Sequence, residues 1–262
     1  MAVPTWRLRW LLGRMVDLRF HCAIWRTLRH PLRYYYALFV KFIPNRHNAP
    51  IEIALKDGKR FVIRSWSSGF IFWEIFVDRV YDVMKQTPRR VIDIGANTGL
   101  FVLRAKQLWP EVSVVAFEPE PNNYQALCET IRINALDKVE AVNAAITDQD
   151  GSITLYRHPR NIGAHSTVHH CSGDEIVVPS FRLDRFINSQ PDKSCDLLKV
   201  DCEGGELAIF SALDQATANA IATIVYEPDE AAYDVQAMNN RLASLGFSIS
   251  SSGNCFVARR QA

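Results

Sequence analysis

The spacing of apolar residues changes twice along the chain, and each change marks a different kind of element. In the first 47 residues it is helical. Leu8, Leu11, Leu12, Met15 and Leu18 fall on one helix face, with Arg9 opposite and Arg14 near its edge. Arg19 and Arg26 then rotate back into that stripe. Beyond Pro31 a second helical piece, Leu32 to Ile43, is aromatic and aliphatic, carries only Arg33 and Lys41, and stops at Pro44. From residue 51 the period becomes two: Ile51, Ile53 and Leu55 alternate with Glu52 and Ala54, Asp57-Gly58 turns the chain, and Phe61-Val62-Ile63 returns as a hairpin. Ser65 to Gly69 reads as a loop and Phe70 to Tyr81 as a helix.

Beyond residue 88 short β-rich runs alternate with helical patterns. Strands are predicted at Val91 to Ile94, Val112 to Phe117, Val139 to Ile146, Leu197 to Val200 and Ile221 to Tyr226. Helices are predicted at Leu100 to Trp109, Asn122 to Ile133, Glu206 to Leu213 and Val235 to Leu245. A polar, turn-rich insert holds a hairpin strand at Ile153 to Tyr156 and another strand at Ile176 to Val178, and Phe247 to Ile249 with Cys255 to Val257 form a closing antiparallel pair. Alternating strands and helices imply right-handed βαβ units, a mainly parallel sheet, and ligands at the carboxyl ends of its strands. Three segments follow: a basic helical arm (1–47), a hairpin and helix leading into the core (48–87), and an α/β domain (88–262).

Charge separates the first segment from the rest. The chain of 262 residues has a formal net charge of only +2, yet residues 1–47 hold nine Arg or Lys against Asp17, or +8, leaving −6 for the remainder. A basic arm bearing Trp and Tyr suits peripheral contact with an anionic membrane; the other reading is a helical lid whose arginines are solvated. No run is apolar enough to cross a bilayer, and the start of the chain lacks the continuous apolar core of a secretory signal, so a cytoplasmic protein is expected. Six scattered cysteines without a C-x-x-C pair read as free thiols, and the adjacent His169-His170-Cys171 do not converge as metal ligands, so no metal is expected.

The sharpest chemical signal is Asp93-Ile94-Gly95-Ala96-Asn97-Thr98-Gly99, between a strand and a helix. Gly95 permits a tight turn and Gly99 a close approach, while amides at the helix start suit a carboxylate or other anion. Nineteen residues beyond Gly99, Glu118 ends the second strand, where an acid accepts hydrogen bonds from a ribose diol. A pyrophosphate-binding loop would be G-x-G-x-x-G without a carboxylate pressed against it. Asp93 would repel a pyrophosphate and attract an ammonium, which favours S-adenosylmethionine over a dinucleotide.

These motifs, with FEPEP, VNAAITDQDGSITLY, LLKVDCEGGE and a late LGF in that order, and SWSSGFIFWEIFVDRVYD upstream, resemble the FkbM family of class I S-adenosylmethionine-dependent methyltransferases over roughly residues 50–258. The resemblance implies a Rossmann-like, doubly wound, mainly parallel seven-stranded sheet. It also implies that Asp93, Gly95, Asn97 and Gly99 line the methionine part of the cofactor, that Glu118 holds the ribose, and that Asn143 with Ala144-Ala145 lies near the adenine. Cys202 and Gly205 stand where the family usually has a branched aliphatic residue and a small residue such as Ala. Glu74 is a further candidate to reach the cofactor ammonium.

At the fourth parallel strand, Asp201 and Glu203 are candidates to orient or deprotonate a substrate hydroxyl, with Lys199 placed to pair with one of them; Glu203 capping the next helix is the structural alternative. Among the histidines of the insert, His165 on a Gly-bearing loop is the candidate base. An O-methyltransferase acting on a sugar, glycan or other polyhydroxylated small molecule is expected, the acceptor class resting on the resemblance alone. The alternatives are nucleic-acid methylation assisted by the arm and a non-catalytic cofactor-binding scaffold. The first is disfavoured because the fourth strand ends in Asp201-Cys202-Glu203-Gly204 and the acidic body lacks a basic, aromatic-interleaved surface.

Overall fold

The structure, a computed structural model, describes residues 13, 17–42, 49–158, 163–169, 173–190 and 192–261. The helix expected over Leu8 to Leu18 falls largely outside them, as do Ile43, Pro44, Asn161, Ile162, His170 and Cys171. The chain divides into two compact units, residues 1–79 and 80–262, so the boundaries expected at 47 and 87 give way to one at Arg79.

The first unit explains why. Helix α1 (Leu18–Thr27) starts where the Asp17 carboxylate accepts from the backbone amides of Arg19 and Phe20. Arg19 and Arg26 do not spoil it, because it buries the face of Phe20 and Ile24 instead of extending the Leu8 stripe. Helix α2 (Pro31–Phe42) buries Tyr34, Ala37 and Leu38. Strands β1 (Ile51–Ala54) and β2 (Arg60–Ile63) pair antiparallel with Ile53 opposite Phe61. Helix α3 (Trp66–Trp73) begins inside the segment expected to be a loop, since Ser65 and Ser68 form a reciprocal capping box, and it passes into a π-helical turn at Glu74–Asp78. Phe20 packs edge-on to Trp73, Tyr34 packs on Phe72, and Phe72 stacks on Phe61, so helices and hairpin share one core and cannot be separate segments.

The second unit is built on a seven-stranded sheet. Its strands are β3 (Arg90–Ile94), β4 (Ser113–Phe117), β5 (Val139–Val142), β9 (Cys195–Val200), β10 (Ile221–Tyr226), β11 (Phe247–Ser252) and β12 (Cys255–Arg260), in the order β11-β12-β10-β9-β3-β4-β5. All neighbours are parallel except β12, which runs antiparallel to both β10 and β11. The run expected as one strand over Val139 to Ile146 is two. It breaks at Asn143-Ala144, and β6 (Ala145–Thr147) joins β7 (Gly151–Tyr156) and β8 (Glu175–Arg182) in a separate three-stranded sheet, so the insert is an organised layer. Helices α4 (Leu100–Leu108), α5 (Pro121–Ile133), α6 (Leu183–Ser189), α7 (Glu206–Ala212), α8 (Gln215–Asn219) and α9 (Val235–Ser244) complete the unit. The core between sheet and helices holds Ile92, Val115, Leu198, Phe210, Ile224 and Leu242. Chain order reverses between β3 and β9, the switch point at whose carboxyl ends a doubly wound sheet binds ligands.

Tyr34 is fully buried and its hydroxyl donates to the Gly69 carbonyl at 2.9 Å. Tyr34→Phe removes this buried hydrogen bond and should cost about 1 to 2 kcal/mol. This corresponds to a fall of roughly 2 to 8 °C in Tm by calorimetry.

Candidate active site

Two loops meet at the switch point. After β3 the backbone turns through Gly95 (φ 78°) and Asn97 (φ 50°), and the amides of Gly95 and Ala96 donate to the Phe117 carbonyl at 3.0 and 2.9 Å. A Cβ on Gly95 would lie 1.8 Å from the Asp201 carbonyl oxygen, so this glycine lets the first loop cross the end of β9. A Cβ on Gly99 (φ 82°) would lie 2.8 Å from Leu127 Cδ1; here the close approach is to helix α5. The second loop, Asp201 to Gly205, turns through Glu203 in the left-handed region (φ 54°).

Lys199 ties the two together. Its ammonium, on a side chain only 3% exposed, donates to the Gly95 carbonyl at 2.8 Å and lies 3.1 Å from Asp93 Oδ1 and 3.5 Å from Asp201 Oδ2. Burial pulls this ammonium down, yet Asp93 and Asp201 hold it protonated, above the usual lysine range. Asp93 is wholly buried, and neither of its carboxylate oxygens makes a hydrogen bond of good geometry among the described residues. Burial raises it against the pull of Lys199. Asp201 is the open member of the trio, with 30% side-chain exposure and the Tyr81 hydroxyl donating to Oδ2 at 2.9 Å.

Beside β4, Glu118 receives the amides of Asn97 at 2.7 Å and Glu120 at 2.9 Å, and burial nonetheless pushes it up to about 7. Asn143 closes this side by donating to the carbonyls of Glu118 and Pro119 at 2.8 and 3.0 Å. Beyond Asp201 the carboxylates crowd. Burial and then Asp201 push Glu203 up to about 9 and Glu227 up to about 7. Glu206 is inaccessible; it accepts from the amides of Cys202 and Gly204 at 2.8 and 3.0 Å and from the Tyr233 hydroxyl at 3.0 Å. The carboxylate that braces this turn is therefore Glu206, and Glu203 does not cap α7.

The insert reaches the same turn: Ser166 Oγ donates to the Glu203 carbonyl at 2.5 Å, and the His169 ring is hydrogen-bonded to Asp229 beside Gly204. His165 lies elsewhere. Its Nδ1 accepts the His158 amide at 2.9 Å and its electrostatic neighbours are Glu120, Arg157 and His158. With Nδ1 accepting, the neutral ring carries its proton on Nε2 and has no lone pair for a substrate, so in this arrangement His165 is not poised as a base. Burial also lowers its pKa.

Residues 93–249 match the family profile described as the methyltransferase FkbM domain. The chain belongs to the FkbM methyltransferase family. "Methyltransferase 1" of Beauveria bassiana (strain ARSEF 2860) is 28% identical over 202 residues, 69% of this chain and 81% of that protein. The "31-O-demethyl-FK506 methyltransferase FkbM" of Streptomyces tacrolimicus is 28% identical over 199 residues, 63% and 76% of the two chains. A crystal structure of methyltransferase FkbM from Methylobacillus flagellatus KT superposes with a TM-score of 0.51 at 13% identity, covering 68% of this chain and 45% of that one, a likeness of fold.

In this FkbM-family methyltransferase, Asp93, Gly95 and Asp201 are joined through Lys199, and Asn97, Glu118 and Asn143 form a second contiguous group. Glu203 is at the turn after Asp201, whereas Glu74 lies at the start of the π-helical turn of the first unit. Tyr81, Glu206, Glu227 and the His169–Asp229 pair are additions of the structure. Glu206 alone carries a sequence signal, as an acid in the first turn after Gly204-Gly205. Glu203 holds a proton in the folded protein that it releases near pH 4.5 when unfolded, so its contribution to stability is present below that value and lost as pH rises toward 9. Glu203→Gln should therefore raise Tm over the parent at pH 9 and leave it nearly unchanged at pH 4, read by thermal unfolding without ligand.

Proposed function

We propose that this methyltransferase uses S-adenosylmethionine to methylate a hydroxyl oxygen of a sugar, glycan or other polyhydroxylated small molecule. The observation that carries the reading is the excess of carboxylates at the switch point: among the described residues Asp93, Asp201 and Glu227 share the ammonium of Lys199, and Glu203 lies beside Asp201 and Glu227. Such a site favours a ligand bearing positive charge and opposes a pyrophosphate. The residues fit the cofactor. Asp93 contributes its charge from beneath the loop, Glu118 is fixed at the end of β4 for a ribose diol, and the carboxamide of Asn143 is held beside it.

When bound, S-adenosylmethionine supplies an activated methyl group, so the protein must position an acceptor oxygen and remove its proton. Asp201, fixed by the Tyr81 hydroxyl and by Lys199, is suited to orient that hydroxyl. Glu203 is suited to take the proton: burial, and then the neighbouring carboxylates, keep it protonated in the free protein, and added positive charge nearby favours its ionisation. The relatives named as methyltransferases support the reaction type, and the oxygen acceptor follows the family resemblance.

Isothermal calorimetry with S-adenosylmethionine and with NAD tests the reading. Binding of the former alone supports it, and binding of NAD alone would sink it. Asp93→Asn is expected to weaken cofactor affinity about tenfold, the size of one lost charge interaction. Glu203→Gln should lower kcat for methyl transfer to a hydroxyl acceptor by roughly 100-fold or more with cofactor affinity largely kept. His165→Ala should change kcat by no more than a few fold. Loss of activity in His165→Ala with full activity in Glu203→Gln would reverse the assignment of the base.

A further inference from the structure

The first unit carries a surface that the chemistry above does not use. Helices α1 and α2 meet at His21 and Tyr35, His21 Nδ1 lying 2.6 Å from the Tyr35 hydroxyl. Away from their buried faces each helix exposes an apolar stripe at the spacing i, i+4, i+7: Leu18, Cys22 and Trp25 on α1, and Leu32, Tyr36 and Phe39 on α2. Exposure of the five large ones runs from 53% for Trp25 to 78% for Leu18, far beyond scattered surface hydrophobics. Stepping round each helix from the His21–Tyr35 seam, the apolar stripe comes first and arginine follows: Arg26 and Arg19 on α1, Arg33 on α2. On each helix, then, the exposed apolar stripe lies between the residue of that contact and an exposed arginine.

Charge fixes what this face can meet. Arg19, Arg26, Arg29 and Arg33 are all exposed and form no ion pair with a described residue, and the acid on these two helices' span is Asp17, which caps α1. On the α1 flank a cavity of about 390 Å³ is lined by Arg19, Arg26 and Arg79 together with Leu18, Phe76 and Val77, with the carboxylate of Asp78 next in sequence to Arg79. A cavity lined by three arginines together with apolar side chains suits a phosphate that carries an acyl chain. A second copy of the chain would set arginine against arginine. We propose that the α1–α2 face docks on an anionic lipid bilayer, with the aromatic and aliphatic stripe in the interface and a lipid phosphate in the Arg19–Arg26–Arg79 cavity. Such a surface lies on the membrane; among the described residues no helix is long and apolar enough to cross one.

Vesicle flotation of the full chain tests this. Vesicles of phosphatidylcholine with one quarter phosphatidylserine should carry the protein, pure phosphatidylcholine should not, and raising the salt from 0.1 to 0.5 M should release it. Each arginine near the surface is worth about fivefold in partitioning, so Arg19→Gln, Arg26→Gln and Arg33→Gln together should lower it roughly 100-fold. Trp25→Ser with Phe39→Ser should also release the protein. Both sets are on exposed positions, and an unchanged unfolding transition shows that the fold is kept. Equal partitioning on the two vesicle types, or binding indifferent to both sets of substitutions, overturns the proposal. So does displacement by millimolar glycerophosphate, which would make a free phosphate the ligand. Concentration-dependent dimerisation abolished by Trp25→Ser with Phe39→Ser, without vesicle binding, would make the occupant a second copy.

Discussion

The active site depends on one buried cation. Lys199 arrives on a strand buried within the sheet and is almost wholly desolvated, a placement tolerable only with compensating charge. Asp93 supplies it from β3 and Asp201 from the strand's own end, while the Gly95 carbonyl takes a hydrogen bond. Removing one partner of such a group leaves an uncompensated charge in the interior, typically about 3 to 5 kcal/mol. The geometry of both loops follows from this arrangement. Gly95 must lack a side chain because the first loop crosses the Asp201 carbonyl, and Glu203 sits in the left-handed region because the second loop turns directly after it.

The same cation is insufficient for the charges around it. Lys199 offsets part of the rise at Glu227, yet burial and then Asp201 raise both Glu203 and Glu227. The cationic ligand proposed for this site would compensate the carboxylates collected there at the expense of folding stability. Glu206, by contrast, has its oxygens filled by two amides and a tyrosine hydroxyl and serves the shape of the turn. Neighbouring carboxylates thus acquire different roles from burial and hydrogen bonding, although they look alike as letters in Asp201-Cys202-Glu203-Gly204-Gly205-Glu206.

Much of this was legible in the sequence where a local rule determines the outcome. The β3 strand, its glycine turn and Glu118 follow from period, backbone sterics and spacing, and these residues converge at the switch point as expected. Tyr81 was not legible, because its bond to Asp201 joins positions 120 residues apart, and neither was the pairing of His169 with Asp229, which spans 60 positions. The β5–β6 break was hidden because apolar alternation continues through Asn143, whose carboxamide bonds instead to the preceding loop. Arg19 and Arg26 looked like flaws in a helix only while its buried face was taken from the residues before it.

The central claim, that the site holds protons in place of a missing positive charge, is tested most directly by the proton balance of cofactor binding. Calorimetric titration with S-adenosylmethionine at pH 7.5, repeated in buffers of different ionisation enthalpy, gives the number of protons exchanged. The account predicts net release from the protein, reduced in Glu203→Gln, and affinity that rises with pH between about 7 and 9, where Glu227 and then Glu203 ionise. Proton uptake, or affinity that does not change across that range, would contradict it.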